Sequence, residues 1–252
     1  MRLLPTLLFL LFSCTGLTFG APTPNDVAQS STKDLIGGWE SSYAAPDGRR
    51  GKLVMTITPT HLSMASYFTD NGEFIATLGG PWRADSETFS LTYEYDSSSP
   101  EQVGSVTTMP YEVTGNFLIF NGNKFWTRID DGTEGEVAGA WEITARAMDG
   151  ELQPLSQERI NGPRKTMKIL SGTRFQWIAF NTETREMIAT GGGTYTTTPD
   201  GKYTEKIEFF SKDQSRVGAY LGFAFELVDG EWDHQGSSSK GDLIHERWSR
   251  RR

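Results

Sequence analysis

The side chains able to do chemistry are concentrated in the second half of this 252-residue chain. Arg174, Gln176, Tyr195, Glu208, His234, His245 and Glu246 fall on or beside runs of alternating apolar residues, among Phe175, Trp177 and Trp232. Residues two apart on a strand share a face. Arg174 and Gln176 therefore go together, opposite Phe175 and Trp177. The face carrying the rings is the one a sheet buries. Phe175, Trp177, Tyr195 and Trp232 are thus expected to wall an apolar cavity, with Arg174, His234 and Glu246 as polar groups at its rim. Such a site binds by burying apolar ligand surface and fixes orientation with few polar contacts. The competing reading is that these rings simply fill a core.

Other chemistry is poorly supported. His234 and His245 flank a Gly/Ser stretch that can fold as a hairpin, and Asp233 or Glu246 could complete a two-His, one-carboxylate metal set. Strand alternation, however, puts Asp233 and His234 on opposite faces, and the third histidine, His61, lies in the other half. No metal site and no cofactor are expected. GxSxG, HExxH and P-loop patterns are missing from the sequence. With 32 acidic residues, no single carboxylate pair stands out as a glycosidase pair. Gly191-Gly192-Gly193 lies between two strands with no helix to supply a dipole, so it reads as a bend or bulge, as does Gly79-Gly80.

The elements that hold these residues occur twice. Gly37-Gly38-Trp39-Glu40 returns as Gly139-Ala140-Trp141-Glu142. Phe74 to Gly80 returns as Met187 to Gly193, and Phe125-Trp126-Thr127-Arg128 as Arg247-Trp248-Ser249-Arg250. Laid on one another, the halves place Leu62 on Phe175, Met64 on Trp177 and Trp82 on Tyr195. After one inserted residue, Tyr93 falls on Ile207 and Tyr95 on Phe209. Volume is kept while identity drifts, as a common core requires. Period-two apolar runs broken by turn residues divide each unit into about eight strands. The larger insertions, 148–163 and 236–242, read as loops. The fold expected is all-β: two tandem eight-stranded up-and-down antiparallel β-barrels, closed so that no sheet edge is left. A two-sheet sandwich is the alternative. The expected divisions are a signal peptide at 1–20, a linker at 21–35, barrel 1 at 36–130, a linker at 131–136 and barrel 2 at 137–252.

The paired GxW and terminal Trp-x-Arg elements resemble the lipocalin and calycin arrangement. Gly191 to Tyr195, Lys202 to Glu205, Ser215 to Gly218 and Glu246 to Arg250 are similar to an uncharacterised lipocalin-like domain of exported proteins in Bacteroidota-type bacteria. The resemblance covers about the last 110 residues well and reaches the first unit mainly through the repeat. It implies that Trp39 and Trp141 plug one end of each barrel and that Arg128 and Arg250 stack on their rings. It implies no activity.

The N-terminus supplies an address. Arg2 precedes an apolar run, Leu3 to Phe12, too short to span a membrane, and small residues follow. Export to the periplasm or beyond, with cleavage near Gly20, is expected. Outer-membrane attachment through Cys14, the chain's one cysteine, is the alternative. The mature chain then has no cysteine and no disulfide. A net charge of −8 argues against nucleic acid as partner. Three functions remain: a carrier or sensor of a small apolar or amphipathic molecule; an enzyme (isomerase, hydratase or carbohydrate-processing) using polar residues at the second barrel's mouth; and a scaffold with filled barrels. The two barrels are expected to pack as an intramolecular pseudo-dimer.

Overall fold

The computed structural model describes residues 32–133, 135–238 and 240–251. The expected leader and Cys14 lie outside them. The first unit contains β1 (Gly37–Ala44), β2 (Arg50–Ile57), β3 (His61–Phe68), β4 (Phe74–Ala84), β5 (Thr88–Thr92), β6 (Tyr95–Asp96), β7 (Val106–Thr114), β8 (Phe117–Phe120) and β9 (Lys124–Asp130). Eight of these pair antiparallel in chain order, and β1 meets β9 to close the ring; β6 is a short bridge on β4.

The second unit contains β10 (Gly139–Met148), β11 (Glu151–Pro154), α1 (Gln157–Asn161), β12 (Arg164–Leu170), β13 (Arg174–Asn181) and β14 (Met187–Thr198), then β15 (Lys202–Phe210), β16 (Tyr220–Val228), β17 (Glu231–Ser237) and β18 (Leu243–Arg250). Here β10 meets β18, and β11 is an extra strand on β10. The fold is therefore two closed eight-stranded antiparallel barrels in tandem, consistent with a lipocalin-like calycin fold. Among the described residues no helix is long and apolar enough to cross a membrane.

Local sequence explains the strand connections. Asp149-Gly150 and Asp229-Gly230 take positive φ at both positions, the conformation a two-residue hairpin needs, and Asn121-Gly122 does the same at the start of the three-residue β8–β9 turn. The first of these corrects the reading of 148–163 as loop. Asp149-Gly150 folds Glu151–Pro154 back on β10, and Ser156 then caps the single-turn helix by accepting from the Arg159 amide. β14 bulges between Gly192 and Gly193, where the glycine run was expected to bend the wall.

One end of each barrel carries the same set of contacts. Trp39 is fully buried, its indole donates to the Leu35 carbonyl (2.9 Å), and the Arg128 guanidinium lies 4.1 Å over its ring. Trp141 is fully buried, donates to the Val137 carbonyl (2.8 Å) and lies under Arg250 at 4.2 Å. Each arginine also donates to a backbone carbonyl, Ile36 or Ala138. Gly37 and Gly139 take φ of 128° and 143° and leave no room for a Cβ against Asp130 and Arg250, so glycine is required at both.

The barrels touch along the outer faces of β2–β4 and β12–β15. Tyr67 stacks on Phe209 (5.0 Å) and Tyr95 packs on Phe180 (4.8 Å). Gln176 accepts from Ser63 and donates to Thr77 and Thr190. Asp130 accepts from Gly38, Gly132, Ser171, Gly172 and Thr173, so one carboxylate joins the end of β9 to the β12–β13 turn. Those donors outweigh burial and hold its pKa below the usual carboxylate value. At one margin Arg174 pairs with Glu208 (2.6 Å), and at the other Arg251 pairs with Glu94 (2.7 Å).

Truncating Trp141 to Ala should cost roughly 3–5 kcal/mol, because a fully buried indole leaves a cavity that a closed barrel cannot collapse. Urea melts of the mature chain and the W141A variant measure this. A loss under about 1 kcal/mol would mean that the ring does not hold the barrel end.

Candidate functional site inside the second barrel

Alternation along β12, β15, β17 and β18 points Lys168, Tyr203, Glu205, Trp232, His234, Glu246 and Trp248 to the same interior. Trp141, Tyr203, Trp232 and Trp248 form its aromatic floor, all at most 2 % exposed. Lys168 is buried above them, 2.9 Å from a Glu205 oxygen that also accepts from the Tyr203 hydroxyl. The Lys168 ammonium lies 5.0–5.7 Å from the ring centres of Tyr203, Phe223, Trp232 and Trp248. Removing an ammonium and a carboxylate from water costs several kcal/mol per ion. Here a direct ion pair, a phenol donor and four ring faces replace that water.

The rest of the site is less satisfied. His234 is buried between Phe223 (4.2 Å) and Trp232 (5.3 Å), and neither of its ring nitrogens has a hydrogen-bond partner. The Trp232 indole N–H has none either. Burial drives the His234 pKa well below 6.5, with Lys168 and His245 adding to the effect, so the ring is neutral. The nearest Glu246 oxygen is 3.8 Å away, too far for a hydrogen bond. Burial raises the Glu246 pKa, while Lys168 and Arg146 pull against it. The Trp248 indole also favours the Glu246 charge but completes no hydrogen bond. The site thus combines a compensated ion pair with a neutral imidazole, a carboxyl biased toward its acid form and indole donors without acceptors. A buried donor without a partner costs about 1–3 kcal/mol, so such groups call for water or a ligand atom.

The first barrel is an internal control. Strand register places Met55 where Lys168 stands, opposite the plug tryptophan in each case. By the same registers Leu91 answers Glu205, Phe89 answers Tyr203, Leu118 answers Trp232 and Phe120 answers His234. The first interior is apolar at each of these positions, and the exposed Lys124 answers Glu246 at the strand end.

Of the residues singled out from sequence, Trp232, His234 and Glu246 meet in this interior. Phe175 and Tyr195 belong to the same core cluster, and the Tyr195 hydroxyl is already committed to the Ser171 carbonyl. Trp177 stands opposite Lys168 in the wall, half-buried against Phe210 at 5.4 Å. Arg174 is on the outer face, where the first barrel covers it. It donates to Glu208 and to the Tyr67 hydroxyl, and Glu208 holds its charge against the cost of burial. His245 also faces outward, bound to Asp233 (3.0 Å), because register pairs His234 with Glu246 and Gln235 with His245. The barrel wall therefore separates the two histidines. Among the described residues no three of His, Cys, Asp and Glu gather to hold a metal ion. Sequence reasoning missed Lys168, Tyr203 and Glu205. The signal was present in the repeat, as polar residues at positions where the other copy is apolar.

Residues 136–252, a little under half of the chain, match the model of a family described as a domain of unknown function (DUF4488). The match covers the second barrel and so the whole polar interior. No curated protein matches the chain.

Two predictions follow from the interior charges. K168M strands Glu205 and should cost roughly 3–5 kcal/mol, whereas K168M/E205L, which installs the first barrel's own pair, should recover most of it. A double-mutant cycle in urea gives the coupling, and additive losses would contradict the pairing. Above pH 6.5 His234 is neutral folded or unfolded. Below it the unfolded chain takes up a proton that the buried ring refuses, so stability falls with pH. H234F should flatten that fall, and an unchanged pH–stability slope below 6.5 would show that the ring is not held neutral.

Proposed function

We propose that the chain is an exported binding protein whose second barrel holds a small amphipathic molecule, its polar group among His234, Trp232, Trp248 and Glu246. The observation that carries this reading is the conversion of one barrel interior, and not the other, from apolar to polar with donors left unpaired. A chain under selection only for stability keeps Met, Leu and Phe at such positions, as the first barrel does. Apolar contact with Trp177, Phe175 and Tyr195 supplies affinity, and the unpaired nitrogens supply orientation.

The wider organisation fits this division of labour. Residues 36–130 and 137–252 are the two copies, and Trp39 with Arg128 and Trp141 with Arg250 close one end of each. The copies pack as an intramolecular pseudo-dimer. Tyr67·Phe209 and Phe180·Tyr95 are the same contact with the barrels exchanged, and the counterparts Ser63 and Gln176 meet each other. Residues 1–20 direct export, with lipid attachment at Cys14 as the alternative address.

One observation favours a second reading, acid–base catalysis. A neutral imidazole lies 3.8 Å from a carboxyl whose pKa is raised, the kind of divergence that assigns base and acid in a shared cavity.

Titration of the mature chain with dansylaminoundecanoate, followed by energy transfer from the tryptophans, tests the binding reading. Saturable binding should weaken roughly tenfold in H234F, the value of one hydrogen bond to a buried donor. Absence of saturable binding would favour the filled-scaffold alternative. Turnover of a bound ester or enone, lost in both H234F and E246Q, would favour the enzyme.

A further inference from the structure

The two barrels differ in one stretch of wall. β1 and β2 pair without interruption, Gly37–Ala44 against Ile57–Arg50. Their counterparts β10 and β12 pair only over Gly139–Glu142 and Leu170–Met167, and then part. Beyond that point β10 continues against β11, over Ala145–Met148, and α1 follows. The wall of the second barrel is thus opened between its first two long strands, and a segment without counterpart in the first barrel sits in the gap.

A cleft lies in this gap. Its lining joins the interior to a basic rim: Ile143 and Thr166 come from the two parted strands, Leu155 packs on the interior cluster, and Arg159 and Arg164 stand outside. Thr166 precedes Lys168 by two residues and so shares its face. The enclosed space is small, about 20 Å³, so it admits one group or a chain end-on, not a whole ligand. Of the other cations nearby, Arg251 is engaged by Glu94, and Lys165 donates to the Ile160 carbonyl. Among the described residues Arg159 and Arg164 have no carboxylate partner. Burial weakens the hold of Arg159 on its proton, and the charges of Arg164 and Arg146 weaken it further. Arg146 in turn lies 3.9 Å from Glu246. The one carboxylate in the cleft lining is Glu142, and two guanidiniums left without an ion-pair partner beside a third are unexpected on a chain of net charge −8. They are the groups that grip phosphate or carboxylate through paired N–H donors.

We propose that this opening is an anion-recognising entrance to the second barrel. Arg159 and Arg164 take the charged group of an anionic amphiphile, and its apolar part passes Leu155 and Ile143 toward the interior. This rests on the binding reading above and adds the ligand's charge and its route.

The test is calorimetric titration of the full mature chain, at low salt, with decyl phosphate, decanoate, decanol and inorganic phosphate. Decyl phosphate or decanoate should bind roughly tenfold or more tighter than decanol, an advantage that shrinks as salt screens the arginines. R159Q/R164Q should remove that advantage and leave decanol unchanged. Arg164 is exposed and Arg159 half-buried, with no carboxylate partner to strand, so the variant is expected to fold, and a urea melt checks it. Whichever of the two anions prevails identifies the group recognised. Equal affinity for decanol and the anions, with no effect of R159Q/R164Q, would overturn the entrance and leave the binding reading intact. Failure of every ten-carbon probe to bind would overturn both.

Discussion

Both units depend on the seam where the last strand returns to the first. β9 on β1 and β18 on β10 close each ring, so that every ring strand has a neighbour on both sides, whereas an open sheet of this length would expose its edge strands to other chains. Closure also has a cost in freedom. Once eight strands form a ring, the side chains on its inner face share a fixed volume and have little water to turn to. At each seam an Arg lies over a fully buried Trp, and an inward residue must be apolar, or find a partner inside, to avoid the cost of a buried unpaired group.

The first barrel meets that demand with Met55, Phe89, Leu91, Leu118 and Phe120. The second meets it differently. Lys168 and Glu205 neutralise each other, Tyr203 completes the carboxylate, and the rings around the ammonium stand in for solvent. The same frame then carries groups that are not satisfied, His234 and the Trp232 indole. An ion pair with its own donor set can be a matter of fold specificity. Unpaired donors next to it are harder to explain by folding alone, and they are the ground for proposing a binding role for the second barrel.

The contact between barrels follows the same logic on their outer faces. An outward-facing residue on an antiparallel barrel normally meets water, and Arg174 and Gln176 have the polarity for it. Here the other barrel covers them. Their polar atoms are met by Glu208, Tyr67, Ser63 and the two threonines. A set of mostly buried polar groups therefore lies between the two barrels, flanked by the apolar clusters around Phe180 and Phe209.

The repeat and the period-two pattern determined the strand content and the twofold use of one fold, because alternation and turn chemistry are local; they left a sandwich open beside the closed ring, and the pairing of last strand with first decided it. Sequence also separated Asp233 from His234 by parity alone. It could not say what lay outside each wall. Arg174 and His234 look equally available on their strands, yet one faces the other barrel and the other an aromatic interior. That difference arises from packing between segments a hundred residues apart. Nor could sequence unite Lys168 with Glu205, or either with Glu246, since their meeting depends on three strands brought together by ring closure. Parity sets which face a side chain takes; only the tertiary structure decided what that face meets.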